Sequence, residues 1–357
     1  MSKKRLVVIC PGRGSYTKET LGYLQNRKEI QEPLKIVDQM RTDLGEPTIS
    51  DLDSAKTFKV SVHTKGEHAS PLIFCCALAD FLSIDPDQYE IVAITGNSMG
   101  WYLALAFSGA LNLKDSFRLI QTMGSMMKDS LIGGQIIYPV VDKHWIKQKE
   151  RVDFVHRKVD EINNDTGCEA YVSIYLGGYM VLAGNSQGLQ RLLKELPPIE
   201  HYPFQLINHG AFHTPMLQSV SEKAFVSLEP DLFQKPKIPL VDGRGMIWQP
   251  YSSDPALLRN YTLGHQVVAP YDFSASVRVA LKEFSPDHLV LLGPGNSLGG
   301  SIGQILIENQ WRFIESKEMF SHQQKTDPFL ISMGLAEQRV RLTKEHPSQN
   351  ATTSISR

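Results

Sequence analysis

Long apolar runs are missing from this 357-residue chain. No stretch reaches the roughly eighteen consecutive apolar residues that suggest a membrane-spanning helix, so the sequence predicts no insertion into a membrane. The amino terminus, MSKKRLVVIC, has basic residues, but its apolar run ends at Pro11. A secretory signal peptide needs a longer apolar stretch and a small-residue cleavage site, so we interpret this segment as a buried first strand.

An excess of charge of either sign is also missing. Lys and Arg number 37 and Asp and Glu 38, which gives a formal net charge of -1. This balance offers no electrostatic case for nucleic acid or an anionic membrane as a partner. The four cysteines have no zinc-type spacing, and Cys10, Cys75 and Cys76 lie in apolar segments, so we expect reduced core thiols and no metal site. These absences predict a cytoplasmic protein.

Apolar, β-rich runs alternate with longer helical patterns through the first 130 residues. LVVIC and EIVAIT are typical of buried strands, and the segments 71–83 and 99–130 are typical of helices. The same alternation returns in IPLVD, a helix near 271–284, HLVLLG and a helix from about Leu298. This order predicts an α/β fold with a parallel sheet covered by helices.

A different order lies between these two parts. GQIIYPVV, AYVSIYL, YMVLAG and HYPFQLI are predicted as strands, and 142–163 and NSQGLQRLLKEL as helices, the second capped by Asn185. The resulting β-α-β-β-α-β order is the ferredoxin-like arrangement. We therefore predict a large discontinuous domain at 1–131 and 210–340, a ferredoxin-like subdomain at 132–209, and a disordered polar tail at 344–357.

One candidate nucleophile follows a predicted strand directly. Gly96-Asn97-Ser98-Met99-Gly100 has the form G-x-S-x-G between the run EIVAI and a helical pattern. A sharp strand-to-helix turn exposes the serine oxygen, the glycines remove side chains that would clash, and the helix start favours a developing oxyanion. The pattern predicts Ser98 as a nucleophile.

A second segment has the same form. Gly295-Asn296-Ser297-Leu298-Gly299 also lies between a predicted strand and a helix. The alternative interpretation is a glycine-rich turn that packs near the site without reacting. The pattern alone does not choose between Ser98 and Ser297.

Five ordered segments resemble the malonyl-CoA:acyl-carrier-protein transacylase family, which includes the acyltransferase domains of polyketide synthases. They are CPGRGSY at 10–16, GNSMGWY at 96–102, GAFHTPML at 210–217, HQVVAPYDFSASV at 265–277 and LLGPGNSLGG at 291–300. The resemblance extends over most of the chain, from residue 6 to about 305. It implies an α/β-hydrolase-like large domain with a parallel sheet and an inserted ferredoxin-like small subdomain.

The resemblance also implies roles for individual residues. It favours Ser98 over Ser297 as the nucleophile and places His213, rather than the nearby His209, at the position of the catalytic base. The backbone carbonyl of Gln266 corresponds to the group that orients the base. The backbone N–H groups of Arg13 and Met99 correspond to the oxyanion hole.

The substrate-binding positions depart from the family pattern. In the segment R-L-x-x-x-R-G-x-x-M, Arg118 matches the first arginine, but Met123 replaces the arginine that pairs with the malonyl carboxylate. Ser70 replaces a glutamine that lines the pocket, Asn97 replaces a histidine, and Phe212 is retained. Because methionine cannot make the two-point hydrogen bond that an arginine guanidinium makes to a carboxylate, these residues favour an uncharged acyl group over malonyl.

Arg13 is the nearest basic residue that could replace the missing arginine. The expected function is transfer of an acyl group from coenzyme A to an acyl carrier protein in fatty acid or polyketide biosynthesis, by a monomer without a prosthetic group. Coenzyme A enters only as a thioester substrate. Two alternatives stay open: an editing hydrolase that removes acyl groups from carrier proteins, and a non-catalytic member that only binds the carrier protein.

Overall fold

Two sheets organise the chain in the computed structural model, which describes residues 2–344. The strands are β1 Lys4–Cys10, β2 Tyr89–Gly96, β3 Gly134–Pro139, β4 Ala170–Leu176, β5 Tyr179–Gly184, β6 Phe204–Gln205, β7 Leu240–Val241, β8 Ile247–Trp248, β9 Tyr271–Asp272, β10 His288–Leu291 and β11 Leu330–Ser332. The first sheet has the order β11-β10-β1-β2-β7-β8 and the second β6-β3-β5-β4-β9.

Helices cover both sheets. The α-helices are α1 Gln31–Asp43, α2 Ile49–Asp53, α3 Val60–His63, α4 Gly66–Ser83, α5 Gly100–Phe107, α6 Leu113–Ser125, α7 Lys149–Asn163, α8 Ser186–Glu195, α9 Gln218–Ser227, α10 Pro255–Asn260, α11 Gln266–Val268, α12 Phe273–Phe284, α13 Gly299–Glu308, α14 Lys317–Thr326 and α15 Ala336–Arg339. Among the described residues, no helix combines the length and the apolar character that crossing a bilayer requires.

The first sheet is parallel from β11 to β7, and only β8 runs antiparallel to its neighbour. Its central strand, β1, is fully buried from Leu6 to Cys10, as expected for a parallel strand covered on both faces. The register pairs Cys10 with Gly96 of β2 and Ile9 with Leu291 of β10. The loops after β1, β2 and β10 therefore leave the sheet side by side at its carboxyl edge, where open α/β sheets bind ligands.

The second sheet confirms the predicted β-α-β-β-α-β order. Its first four strands in space are β6-β3-β5-β4, all paired antiparallel, which is the ferredoxin-like arrangement. Asn185 caps α8 by accepting a hydrogen bond from the Gly188 N–H at 2.8 Å, as predicted. The fifth strand, β9, pairs parallel with β4 and comes from beyond the predicted 132–209 segment. The domain boundaries stay predictions, and the predicted tail, apart from Lys344, lies outside the described residues.

Several element boundaries differ from those predicted. The predicted helix at 142–163 begins only at Lys149, because the Asp142 carboxylate accepts hydrogen bonds from the N–H groups of His144 and Ile146 and holds a loop there. The segment 99–130 contains two helices, separated at Gly109, which has a φ of +76°. In both places the hydrophobic spacing predicts a continuous helix, but the Asp142 carboxylate or the left-handed Gly109 interrupts it.

The turn between β4 and β5 joins the two sheets. The N–H of Gly177 donates to Ser274 Oγ of α12 at 2.8 Å, and the N–H of Gly178 donates to Gln304 Oε1 of α13 at the same distance. A Cβ on Gly177 would lie 2.4 Å from the carbonyl oxygen of Ser301. Only glycine allows this approach, so the turn fixes the second sheet against the helices of the first.

Two glycines at the starts of helices provide a test of the packing beneath the carboxyl edge. A Cβ on Gly100, in α5, would lie 2.4 Å from the carbonyl oxygen of Cys10, whereas a Cβ on Gly300, in α13, meets nothing nearer than 3.9 Å. We expect Gly100→Ala to lower the free energy of unfolding by about 2 kcal/mol, because backbone must move. Gly300→Ala is expected to be neutral or to stabilise by up to about 1 kcal/mol.

Urea unfolding of the two variants and the unsubstituted protein measures this difference. Both positions lie in the first turn of a helix, so the control removes any general effect of alanine there. Equal unfolding midpoints for the two variants would contradict the close packing of α5 on β1.

Candidate active site

Ser98 lies in the tight turn between β2 and α5. Its φ is +54°, in the left-handed region that residues with a Cβ rarely adopt. A Cβ on Gly96 would lie 2.3 Å from the Gly100 carbonyl oxygen, and Gly100 itself packs against Cys10. The two glycines of the motif are therefore required for a turn this sharp, which presents the Ser98 side chain at the carboxyl edge of the sheet.

His213 reaches Ser98 from a different part of the chain. Its Nε2 lies 2.7 Å from Ser98 Oγ, and its Nδ1 lies 2.6 Å from the carbonyl oxygen of Gln266. A carbonyl oxygen only accepts, so Nδ1 carries the proton and Nε2 accepts from the serine hydroxyl. Burial lowers the pKa of His213 to about 4, although the Gln266 carbonyl acts in the opposite direction. The ring is therefore neutral at pH 7, as a general base must be.

The side chain of Gln266 also supports the nucleophile turn. Its Nε2 donates to the Ser98 carbonyl oxygen at 3.2 Å, and its Oε1 accepts from the Tyr102 hydroxyl at 2.9 Å. Tyr271 donates to the Gly96 carbonyl oxygen at 2.6 Å. Sequence reasoning missed both tyrosines. Tyr102 lies one helical turn after Ser98, which is a usable signal, but no spacing rule leads to Tyr271.

The backbone N–H groups of Arg13 and Met99 flank the same region. Arg13 lies in the loop after β1 and Met99 at the start of α5. Neither N–H donates a hydrogen bond to another described residue. Both residues line the cavity that contains Ser98, so their N–H groups are available for a developing oxyanion.

One cavity of about 420 Å³ brings together all nine residues predicted for the site. They are Arg13, Ser70, Asn97, Ser98, Met99, Met123, Phe212, His213 and Gln266. Ser297 lines this cavity as well, because the loop after β10 leaves the sheet beside the loop after β1. No hydrogen bond joins Ser297 to a histidine in the described part of the chain, whereas Ser98 has one.

Apolar side chains make up much of the cavity wall. They come from α6, α9, α11, the second sheet and adjacent segments: Ile120, Met123, Met127, Leu131, Ile137, Ile174, Leu176, Val181, Leu206, Leu217, Val220 and Val267. The charged residues of the wall are Arg13, Lys65, Glu67 and Lys128. An apolar wall with a few polar groups is typical of sites for small organic ligands.

Met123 faces this cavity from α6, which packs tightly on the start of α4. A Cβ on Gly124 would lie 2.6 Å from the Gly66 carbonyl oxygen and 3.1 Å from Ser70 Oγ. Arg118, on the same helix, does not line the cavity and instead pairs with Glu229 at 2.8 Å on the surface. The earlier arginine of the segment therefore does not replace the missing one.

The two neighbouring histidines lie in different surroundings. His209 Nδ1 lies 3.0 Å from Gln135 Oε1 and makes no hydrogen bond to Ser98. His209 lines the cavity beside Arg13, and burial together with the Arg13 charge lowers the pKa of His209 to about 3. Sequence reasoning treated His209 only as a rival for the base, but the structure adds it to the polar groups of the cavity.

Comparison with known proteins finds relatives of one kind. No family model matches the chain. The malonyl CoA-acyl carrier protein transacylase of Bacillus subtilis is 19% identical over 309 residues, which cover 84% of this chain and 90% of the relative.

Two solved structures share the fold. The malonyl-CoA:acyl carrier protein transacylase of Xanthomonas oryzae has a TM-score of 0.72 at 16% identity, over 96% of this chain and 98% of that one. A malonyl-transacylase in complex with its type II polyketide synthase acyl-carrier protein has a TM-score of 0.72 at 17% identity, over 96% of this chain and 99% of that one. The predicted fold class and the family resemblance are confirmed: this chain is similar in sequence and in fold to malonyl-CoA:acyl-carrier-protein transacylases.

Proposed function

We propose that this chain is an acyltransferase that moves an acyl group from coenzyme A to an acyl carrier protein through an acyl-Ser98 intermediate. We expect it to act as a monomer in the cytoplasm, in fatty acid or polyketide biosynthesis, and to favour uncharged acyl groups over malonyl. The observation that carries the proposal is the chain of contacts from Ser98 Oγ through the His213 ring to the Gln266 carbonyl. A relative in complex with an acyl-carrier protein supports the choice of acceptor.

The geometry supports a two-step transfer. His213 Nε2 takes the Ser98 proton as Oγ attacks the thioester carbonyl, and the oxyanion that forms accepts from the N–H groups of Arg13 and Met99. The C–S bond then breaks, and His213 returns the proton to the coenzyme A thiolate. In the second step His213 takes the proton of the carrier thiol, the thiolate attacks the ester, and Ser98 recovers the proton as its bond to the acyl carbon breaks.

The preference for an uncharged acyl group rests first on Met123. A buried carboxylate without a paired cation costs about 2–5 kcal/mol relative to a paired one. Met123 offers no charge and packs with the apolar cluster of Leu217, Val220 and Val267.

Arg13 does not supply the missing two-point contact with a carboxylate. Its Nη2 donates to the carbonyl oxygens of Thr64 and Asn208 at 3.0 and 2.9 Å, which uses both Nη2 hydrogens. A carboxylate can bind a guanidinium at two points, either through Nε and Nη2 or through Nη1 and Nη2, and both arrangements need one Nη2 hydrogen. Arg13 therefore keeps only single contacts for a ligand, and a malonyl carboxylate gains less from it than from an unengaged arginine.

Substituting each of the two candidate serines tests the nucleophile assignment. We expect Ser98→Ala to abolish the covalent adduct formed with acetyl-CoA, because no other side chain among the described residues donates a hydrogen bond to His213. Ser297→Ala is the matched control, since it removes the same atom from the other G-x-S-x-G segment in the same cavity. Intact-mass spectrometry after brief incubation measures the adduct. Loss of the adduct in Ser297→Ala, with retention in Ser98→Ala, would overturn the assignment.

Restoring an arginine on α6 tests the acyl preference. We expect Met123→Arg to raise the ratio of malonyl to acetyl loading at Ser98 by at least about tenfold, since a paired carboxylate gains more than about 1.4 kcal/mol. The initial rates of adduct formation with the two coenzyme A esters measure the ratio.

Met123→Leu is the control for this experiment, because it changes the shape of the side chain without adding charge. It is expected to leave the ratio of malonyl to acetyl loading near that of the unsubstituted protein. If the ratio stays the same in Met123→Arg as well, the side chain at this position does not contact the acyl carboxylate and the proposed preference is wrong.

A further inference from the structure

A chain of hydrogen bonds runs through the cavity wall and ends at His209. Ser173 of β4 donates from Oγ to the Phe212 carbonyl oxygen at 2.8 Å, and Gln135 of β3 donates from Nε2 to Ser173 Oγ at 2.6 Å. Gln135 Oε1 lies 3.0 Å from His209 Nδ1. Gln135 and His209 line the same cavity as Ser98.

The directions of these bonds fix which nitrogen of His209 carries the proton. The Phe212 carbonyl only accepts, so the single Ser173 hydroxyl proton points to it, and Ser173 Oγ accepts from the Gln135 amide nitrogen. The Gln135 oxygen then faces His209, whose Nδ1 must donate to it. Burial lowers the pKa of His209, and the Arg13 charge lowers it further. The ring is therefore neutral at pH 7, and its Nε2 is a hydrogen-bond acceptor without a partner among the described residues.

Arg13 offers a donor in the same part of the cavity. Its Nη1 makes no hydrogen bond to a described residue and lies 3.8 Å from the position of a Cβ on Gly66. The Arg13 guanidinium lies 5.5 Å from the centre of the Phe212 ring, and the His209 ring lies 6.2 Å from it. The side chains of His209, which offers an acceptor, and of Arg13, which offers a charged donor, therefore both pack against the Phe212 ring. Phe212 directly precedes the candidate base.

We infer that the acyl group carried by this protein bears a hydroxyl group, which donates to His209 Nε2 and accepts from Arg13 Nη1. The inference rests on the proposed acyl transfer and names the substrate class. A hydroxyl both donates and accepts, so it satisfies both partners, whereas a keto oxygen or a carboxylate only accepts and leaves His209 without a donor. A methylene leaves both partners unsatisfied.

The acyl portion is a better occupant than the pantetheine arm. The backbone N–H of Arg13 is a candidate oxyanion donor, and Phe212 directly precedes His213, so both residues belong to the surroundings of the reacting carbonyl. The apolar residues Met123, Leu217 and Val220 of the same cavity fit the hydrocarbon part of such an acyl group.

Matched coenzyme A esters test the inference. The rate of Ser98 acylation is measured by rapid-quench mass spectrometry for butyryl-CoA, for its 2-, 3- and 4-hydroxy derivatives, and for acetoacetyl-CoA. At least one hydroxy derivative is expected to react about tenfold faster than butyryl-CoA and acetoacetyl-CoA, since sites built for a hydroxyl reject analogues without it.

Substitutions in the cavity wall then test whether His209 causes the preference for hydroxyacyl esters. His209→Phe is expected to bring the ratio of hydroxy to unsubstituted rates close to one. Gln135→Met keeps the ring but removes the group that fixes its tautomer, and it is expected to lower the same ratio. His201→Phe is the matched control: His201 packs against Tyr202 and Phe204 and does not line the cavity, so the ratio is expected to be unchanged.

The outcomes separate this inference from the proposed function. If butyryl-CoA acylates Ser98 but no hydroxy derivative reacts faster, or if the preference survives in His209→Phe, the inference is wrong and the proposed acyl-Ser98 intermediate stands. An equal rise in the KM of every ester in His209→Phe would also overturn it, because His209 Nε2 would then bind the pantetheine arm that all the esters share. Failure of every ester to acylate Ser98 would overturn the proposed function, and this inference with it.

Discussion

The left-handed conformation of Ser98 is the constraint on which the site depends. It exists because α5 begins against the backbone of β1, where Gly100 packs on the Cys10 carbonyl and Gly96 packs on Gly100. A turn of this kind costs of order 1–3 kcal/mol and persists only where its surroundings hold it. Here the surroundings are the register of two parallel strands and the hydrogen bonds from Gln266 and Tyr271 to the turn.

Gln266 connects the nucleophile and the base. Its backbone carbonyl fixes the tautomer and orientation of His213, and its side chain holds the Ser98 carbonyl while accepting from Tyr102. Movement of α11 would therefore displace both partners together. The candidate nucleophile and oxyanion donors come from the loops after β1 and β2 of the first sheet, whereas much of the cavity wall comes from α6 and the second sheet. This division lets the wall change, as at Met123, without altering the geometry of the Ser98–His213 pair.

Much of this arrangement follows from the sequence, and the remainder has specific physical causes. The order of strands and helices, the G-x-S-x-G turn and the Asn185 cap follow from local patterns. The choice between Ser98 and Ser297 does not, because their loops follow β2 and β10, on either side of β1, and reach one cavity; beyond the family resemblance, the contact with His213 separates them. The tautomer of His209 depends on Gln135 of β3 and Ser173 of β4, which are distant from it in sequence, so no spacing along the chain predicts it.

The fate of the acyl-enzyme tests the account most directly. The acyl-Ser98 adduct would be formed with acetyl-CoA, freed of excess thioester, and divided between buffer alone and buffer with an acyl carrier protein bearing its phosphopantetheine thiol. The account predicts that the adduct persists in buffer and that its acyl mass moves to the carrier protein when the carrier is present. Decay at the same rate in both samples, with free acid as the product, would contradict acyl transfer and identify a hydrolase.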